Sequence, residues 1–275
     1  MKLLITGGNG FIGRHAVIAA LARGWEVDPL GWAATNLSLV SRIKADVVLH
    51  LAAFASNAGF AAHLAENYDN NVGSTWKMLR LAQQFGARVV YASSSAVYGK
   101  VCSDAEACCT EDFPHWDFTS HYAKSKLINE MMAESFAETG LSTLGLRIFN
   151  AYGPGDERKR HPSPISQMIA AKRAGTKWIC YSDGTQAKDF IHVSDVVEIT
   201  MRLIEAEATG IVNVGTGVAT SFNDLARLIG CEMQYAPVPD PVSYQFFTRA
   251  STERLESIIG RYECKSVEEG IKDVL

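Results

Sequence analysis

The 275 residues hold no apolar run near the ~20 residues that a membrane-spanning helix requires. Charge of one sign is also missing: 26 lysines and arginines face 30 acids, for a net charge of −4. That balance gives no basic field for nucleic acid. The six cysteines, Cys102, Cys108, Cys109, Cys180, Cys231 and Cys264, form no C-x-x-C pair. Metal binding is therefore not expected. Leu3–Ile5 is too short for the apolar part of a secretion signal, so a cytoplasmic chain with reduced thiols is expected. Low-complexity segments and internal repeats are absent as well. What remains is an ordinary soluble composition, 47% hydrophobic and 20% charged, large enough to bury a core without covalent staples.

The stretch Thr6-Gly7-Gly8-Asn9-Gly10-Phe11-Ile12-Gly13 follows the apolar run Leu3-Leu4-Ile5 and precedes residues with helical apolar spacing. Strand, glycine turn and helix in that order give a glycine motif its meaning. Gly7, Gly10 and Gly13 stand three apart. The first lets the chain turn, the second lets a pyrophosphate approach, and the third lets helix and strand pack closely. Free amides at the helix start then face the phosphates. The spacing is G-x-x-G-x-x-G rather than G-x-G-x-x-G.

Further strands are expected at 24–30, 46–53, 88–92 and 141–149, with helices from Asn71 to about Phe85 and from Ser120 to about Glu138. Such alternation predicts an α/β fold, a Rossmann-like doubly wound parallel sheet covered on both faces. Ligands of such sheets sit outside the carboxyl ends of the strands, where the glycine turn, Ala52-Ala53 and Ser93-Ser94-Ser95 all fall. Residues 100–118 read as a long loop. Residues 1–150 are expected to form the dinucleotide-binding domain, with later strands added to it. Residues 151–275 are expected to form a smaller C-terminal substrate-binding part.

An acid at the end of the second strand contacts the adenosine ribose in NAD-binding folds. That place falls near Gly31, and Asp28 stands inside the strand, so both NAD and NADP remain open. Arg14 is either a partner for a 2′-phosphate or a solvated first-turn residue.

Tyr122 and Lys126 are four apart and share a helix face. Free tyrosine titrates near ~10, and a nearby ammonium together with an oxidised nicotinamide pulls it towards neutrality. A serine hydroxyl from the facing strand end can hold the same substrate oxygen. These groups move a proton while a cofactor moves a hydride.

The glycine turn, His50-Leu51-Ala52-Ala53, Ser93 to Gly99 and Tyr122-Ala123-Lys124-Ser125-Lys126 together resemble the extended short-chain dehydrogenase/reductase family. More narrowly they resemble its NAD-dependent epimerase/dehydratase branch, which acts on nucleotide sugars. Arg147 to Pro154, Asp189 to Asp195, Asn213 to Gly217 and the tail from Ala250 to Gly270 resemble the same branch. The resemblance implies Tyr122 as general acid/base, Lys126 as the group that holds the ribose and tunes Tyr122, and Ser94 as the hydroxyl partner, with Ser95 as its rival. It implies cofactor contacts from Gly7, Gly10, Phe11, Ile12, Gly13, Leu51, Ala52, Ala53, Asn71, Tyr122 and Lys126. Substrate contacts are implied for Ser94, Ser95, Asn150 and Lys188, and Arg249 is the nearest candidate for a phosphate clamp. Lys188 stands where the family often has arginine, and it lacks the bidentate fork.

The family's 4,6-dehydratases carry an Asp-Glu pair where this chain has Ser95-Ala96, which sets dehydration low. The expected activity is a nucleotide-sugar 4-epimerase with NAD or NADP. The alternative is an NADPH-dependent 4-keto-sugar reductase, with a 4,6-dehydratase or a non-catalytic cofactor-sensing protein behind it. The partners expected are a nucleotide-diphosphate sugar and a second copy of the chain, paired through the helices that start near Asn71 and Tyr122. The basic run Arg158-Lys159-Arg160-His161 either steers a diphosphate or is a solvated loop. His50 and His192 read as core histidines.

Overall fold

A computed structural model describes residues 1–31, 44–55, 57–99, 108–112, 120–238 and 244–275. The chain divides into two compact units. The first takes residues 1–97, 120–147 and 197–212. The second takes residues 98–119, 148–196 and 213–275.

The first unit is built on a six-stranded sheet in the order β2-β1-β3-β4-β5-β9. Its strands are β1 (Lys2–Thr6), β2 (Glu26–Leu30), β3 (Val47–His50), β4 (Arg88–Ser94), β5 (Thr143–Ile148) and β9 (Gly210–Val214). β1 pairs in parallel with β2 and with β3, and β3 pairs in parallel with β4. Leu3, Leu4, Ile5, Leu49, Val90 and Leu144 are fully buried, as strands covered on both faces must be. The order reverses between β1 and β3, so the glycine turn after β1 opens at the switch point of the sheet.

Three long helices flank these strands: α1 (Phe11–Ala22), α2 (Ser74–Phe85) and α3 (His121–Glu138). α2 ends at Gly86, which takes the left-handed conformation that a Cβ disfavours. Ser120 caps α3 by accepting from the amide of Ala123 at 3.1 Å. Met78, Leu79 and Ala82 of α2 and Ala133 and Phe136 of α3 pack on Leu4, Val48, Val89 and Tyr91. The expected start of α2 at Asn71 becomes a wider π turn over Asp69–Gly73, and the α-helix proper begins at Ser74.

The second unit has a sheet in the order β10-β8-β12, with β6 also on β8. Its strands are β6 (Asn150–Tyr152), β8 (Ala187–His192), β10 (Ala219–Ser221) and β12 (Phe247–Thr248). A parallel pair, β7 (Trp178–Tyr181) and β11 (Met233–Ala236), stands beside it in sequence. α4 (Pro164–Arg173) and α6 (Phe222–Ile229) bury Ile165, Met168, Phe222, Leu225 and Ile229 with Tyr152 and Phe190. Between them in the chain, α5 (Val193–Glu205) begins in the second unit and ends in the first.

The expectation of six reduced thiols fails at Cys109, which is disulfide-bonded; Cys108, Cys180, Cys231 and Cys264 are free. The expected loop at 100–118 falls mostly outside the described residues, where only 108–112 are placed; Cys109 there bridges in parallel to Ala250. Among the described residues no helix is long and apolar enough to cross a membrane, and no group of three metal-ligating side chains occurs.

Candidate active site

The glycine turn is made of positions that tolerate no side chain. A Cβ on Gly13 would lie 2.0 Å from the carbonyl oxygen of Gly7. Gly7 has φ +72°, and a Cβ there would sit 2.8 Å from the amide nitrogen of Ala52. The Gly10 amide donates to the Gly7 carbonyl at 2.8 Å, which closes the turn. Gly10 leads into α1 without a side-chain cap, at the helix end whose dipole favours an anion. The close seat of Gly7 on Ala52 also fixes the backbone after β3: the Leu51 amide donates to the Thr6 carbonyl at 3.1 Å and the Ala52 amide to the Thr6 hydroxyl at 3.3 Å. This is a cradle that a dinucleotide fits. The candidates Gly7, Gly10, Phe11, Ile12, Gly13, Leu51, Ala52 and Ala53 are thus gathered at the ends of β1 and β3.

Asp28 of β2 is engaged by a lysine of the neighbouring strand. Its carboxylate lies 3.2 Å from the ammonium of Lys2. Gly31 occupies the end of that strand, where a Cβ would come within 3.0 Å of the Asn9 side chain.

Asn71 sits at the centre of the π turn with 1% of its surface exposed. Its carbonyl accepts from the Phe54 amide at 2.7 Å, and its amide donates to the Phe54 carbonyl at 3.1 Å and to the Ser125 hydroxyl at 3.2 Å. The turn widens the helix just enough to aim this one side chain inward. Asn71 therefore pins the loop after β3 to α3.

Ser94, Tyr122 and Lys126 come together. The Ser94 hydroxyl is hydrogen-bonded to the Tyr122 phenol. Ser95 instead starts the 3-10 turn Ser95–Tyr98 and is 7% exposed. Lys126 stands 5.9 Å from the centre of the Tyr122 ring and donates to the carbonyl of Ala92 at 2.7 Å. Burial lowers the Lys126 ammonium to about 8, against the Glu130 carboxylate one turn on, which raises it. Burial raises the Tyr122 phenol above its ordinary value, and the Ser94 hydrogen bond opposes this. The drop towards neutrality expected from the sequence is absent in the protein alone. The aromatic wall supplies the reason: the buried Phe60 ring lies 6.3 Å from Tyr122, and Phe60 packs edge-on against Phe54 and Tyr68. A phenolate there needs a cation as well as a hydroxyl.

Beneath these groups lies a buried charge pair. Arg147 of β5 holds the Glu130 carboxylate with two bonds, Nε to Oε1 at 3.0 Å and Nη2 to Oε2 at 2.8 Å. Ser93 donates its hydroxyl to the same carboxylate. Sequence reasoning passed over Glu130 and Ser93. The signal present was the spacing 122, 126, 130, three residues on one helix face.

His50 is buried and bonded at both nitrogens, Nδ1 to the Thr6 hydroxyl at 2.6 Å and Nε2 to the Ser74 hydroxyl at 3.4 Å. Burial, with the positive charge of Lys126, drives its pKa down to about 3, so it stays neutral. In the second unit His192 bonds the Ser194 hydroxyl through Nδ1 at 2.7 Å.

The remaining candidates lie in the second unit. Asn150 donates to the carbonyl of Asp189 at 3.0 Å. Lys188 is buried and donates to the carbonyl of Gln245; burial lowers its ammonium to about 7. None of the ion pairs among the described residues includes Lys188. Arg249 directs Nε to the Cys108 sulfur at 3.1 Å. Asp189, unremarked beyond its motif, is fully buried and accepts from the amides of Thr216, Gly217 and Ala250 and from the Thr216 hydroxyl, at 2.7–3.1 Å. It thereby fixes the residue next to Arg249.

Comparison with known proteins identifies the family. An ADP-L-glycero-D-manno-heptose-6-epimerase of Alkalilimnicola ehrlichii is 27% identical over 99% of this chain and 96% of its own length. A Thermus thermophilus UDP-glucose 4-epimerase, solved in complex with NAD, superposes with a TM-score of 0.89 at 25% identity, covering 99% of this chain and 97% of that one. MoeE5, solved with UDP-glucose and NAD, superposes at 0.88 with 31% identity and the same coverage. The model of the NAD dependent epimerase/dehydratase family matches residues 3–215. The chain belongs to the NAD dependent epimerase/dehydratase family.

Proposed function

We propose that the protein is a nucleotide-sugar 4-epimerase that keeps its dinucleotide through each turnover. The observation that carries this is the joint placement of Ser94, Tyr122 and Lys126 beside a strand end that lacks an acid pair. Tyr122 takes the proton of the C4 hydroxyl, Ser94 holds the same oxygen, and Lys126 supplies the positive charge that the desolvated phenolate needs. When bound, the dinucleotide accepts a hydride from the sugar and returns it. The 4-keto sugar turns over in the site, and Tyr122 gives the proton back to its oxygen. Ser95 and Ala96 have no ionisable group with which to remove water across C5 and C6, which sets this chain apart from a 4,6-dehydratase.

The glycine cradle is assigned to the pyrophosphate of NAD or NADP. Asn150, Lys188 and Arg249 are assigned to the substrate, with Lys188 facing its diphosphate. An ammonium buried without a carboxylate is the chemistry a diphosphate completes. A homodimer is assigned to α2 and α3, where Trp76, Ile128 and Met131 stay exposed. Light scattering at micromolar concentration tests it, and a monomer mass refutes it.

The activity is tested by incubating the purified protein with UDP-hexoses and no added cofactor. Inversion at C4 is the expected result. Turnover only with added NADPH, on 4-keto-6-deoxy sugar nucleotides, would assign the reductase instead.

A further inference from the structure

Three consecutive residues at the end of β4 are each bonded by one of three α3 residues spaced four apart. The Ala92 carbonyl accepts from Lys126, the Ser93 hydroxyl donates to Glu130, and Ser94 bonds Tyr122. Lys126 and Tyr122 belong to the proposed chemistry. Glu130 does not touch the reacting atoms, yet it is the rung that another element fixes. Arg147 reaches it from β5 with a bidentate fork, the geometry that constrains a carboxylate in both position and plane. Glu130 and Arg147 are 7% and 4% exposed.

We propose that Glu130 is a positioning residue, which Arg147 and Ser93 clamp so that α3 presents Lys126 and Tyr122 to Ser94 in one fixed register. This inference rests on the roles just given to Tyr122 and Lys126. Stability alone does not account for the pair. A buried ion pair is a weak stabiliser, often matched by apolar residues of the same size. What it supplies is directional hold and a fixed negative charge. That charge lies one turn from Lys126 and favours the ammonium against desolvation. The other charged or titratable groups around Lys126 do not replace it. His50 of β3 is neutral, Tyr91 of β4 has its phenol pushed well above the ordinary range, Arg147 of β5 is itself a cation, and Tyr122 is the group to be served.

The test uses the full chain with NAD bound, in wild type, Glu130→Gln and the double variant Glu130→Gln/Arg147→Met. The double variant is included because the single one leaves Arg147 buried without its counter-charge. Carbon NMR of lysine-labelled protein, assigned with Lys126→Met, follows the Lys126 titration without any substrate. It is expected near about 8 in wild type, to fall by about one pH unit in Glu130→Gln, and to fall by a smaller but resolvable amount in the double variant, where the Arg147 charge is removed as well. With nucleotide sugar, the alkaline limb of kcat is expected to move down by the same interval, a loss of about tenfold on that limb for Glu130→Gln, while KM and NAD affinity stay within about twofold. A folded variant with an unmoved Lys126 titration and an unmoved pH profile overturns the proposal. If Glu130→Gln does not fold, the double variant decides by the same readouts. A wild-type enzyme inert to nucleotide sugars would contradict the proposed function, and a Lys126 titration that moved in the same samples would still support the clamp.

Discussion

The two units bury charge in opposite ways. In the first, Glu130 meets a cation of opposite sign, Arg147, across adjoining regular elements. In the second, Asp189 is neutralised by three backbone amides and a hydroxyl drawn from turns, and Lys188 has one backbone carbonyl. The first arrangement is complete without a ligand. The second leaves Lys188 bonded to a carbonyl and to no carboxylate among the described residues. Under the proposed function, the difference is that between a region that performs chemistry and one that recognises a substrate.

The largest expected effect is on the first region. Tyr122→Phe removes the proton carrier and is expected to lower kcat about a thousandfold, with NAD affinity unchanged by equilibrium titration. Ser94→Ala is expected to cost about a hundredfold, while Ser95→Ala costs less than about threefold, both read as kcat. Equal losses would erase the assignment of the hydroxyl that bonds Tyr122.

Asp189→Asn attacks the other pattern. An amide keeps one acceptor oxygen and turns its NH2 towards the backbone amide or amides that the other carboxylate oxygen serves. A loss of about 2–4 kcal/mol in urea unfolding is expected, because buried groups are left unpaired. A neutral outcome would show that the turns hold themselves.

Lys188→Met separates binding from stability. Its folded pKa of about 7 lies below the ordinary lysine value of 10.5, so the unfolded chain binds the extra proton between those values. Stability from this group therefore rises as pH rises through that window and is lowest below it. The variant is expected to flatten that rise, to gain melting temperature at neutral pH, and to lose substrate affinity about tenfold or more. Unchanged affinity would remove Lys188 from the substrate site.

The smallest effect expected is at His50. Its folded pKa of about 3 lies below the ordinary histidine value of 6.5, so its share of stability is complete above 6.5 and drains as pH falls towards 3. His50→Gln should reduce acid sensitivity in that interval, read as the change of melting temperature with pH.

This contrast also explains what the sequence disclosed. Gly7, Gly10 and Gly13 were legible because a turn pressed against Ala52 admits nothing larger. Tyr122 and Lys126 were legible because helical spacing alone puts them on one face. Ser94 and Ser95 were rivals in the sequence, and it is Ser94, at the end of β4, that bonds Tyr122. The Glu130–Arg147–Ser93 clamp was hidden because its partners come from three elements that meet only through sheet order. Asp189 was recognised as part of a motif, but its bonds go to segments at 216–217 and 250 that local pattern does not connect. The raised Tyr122 phenol depends on Phe60, whose neighbourhood no spacing rule predicts. Regular elements carry their geometry in the chain, whereas turns brought together from far apart do not.

The most direct test of the central claim is proton NMR of UDP-hexose carrying deuterium at C4, incubated with the protein as purified. The account predicts a product inverted at C4 that retains the deuterium, with no cofactor added. Inversion at another carbon, or no product until NADPH is supplied, would contradict it.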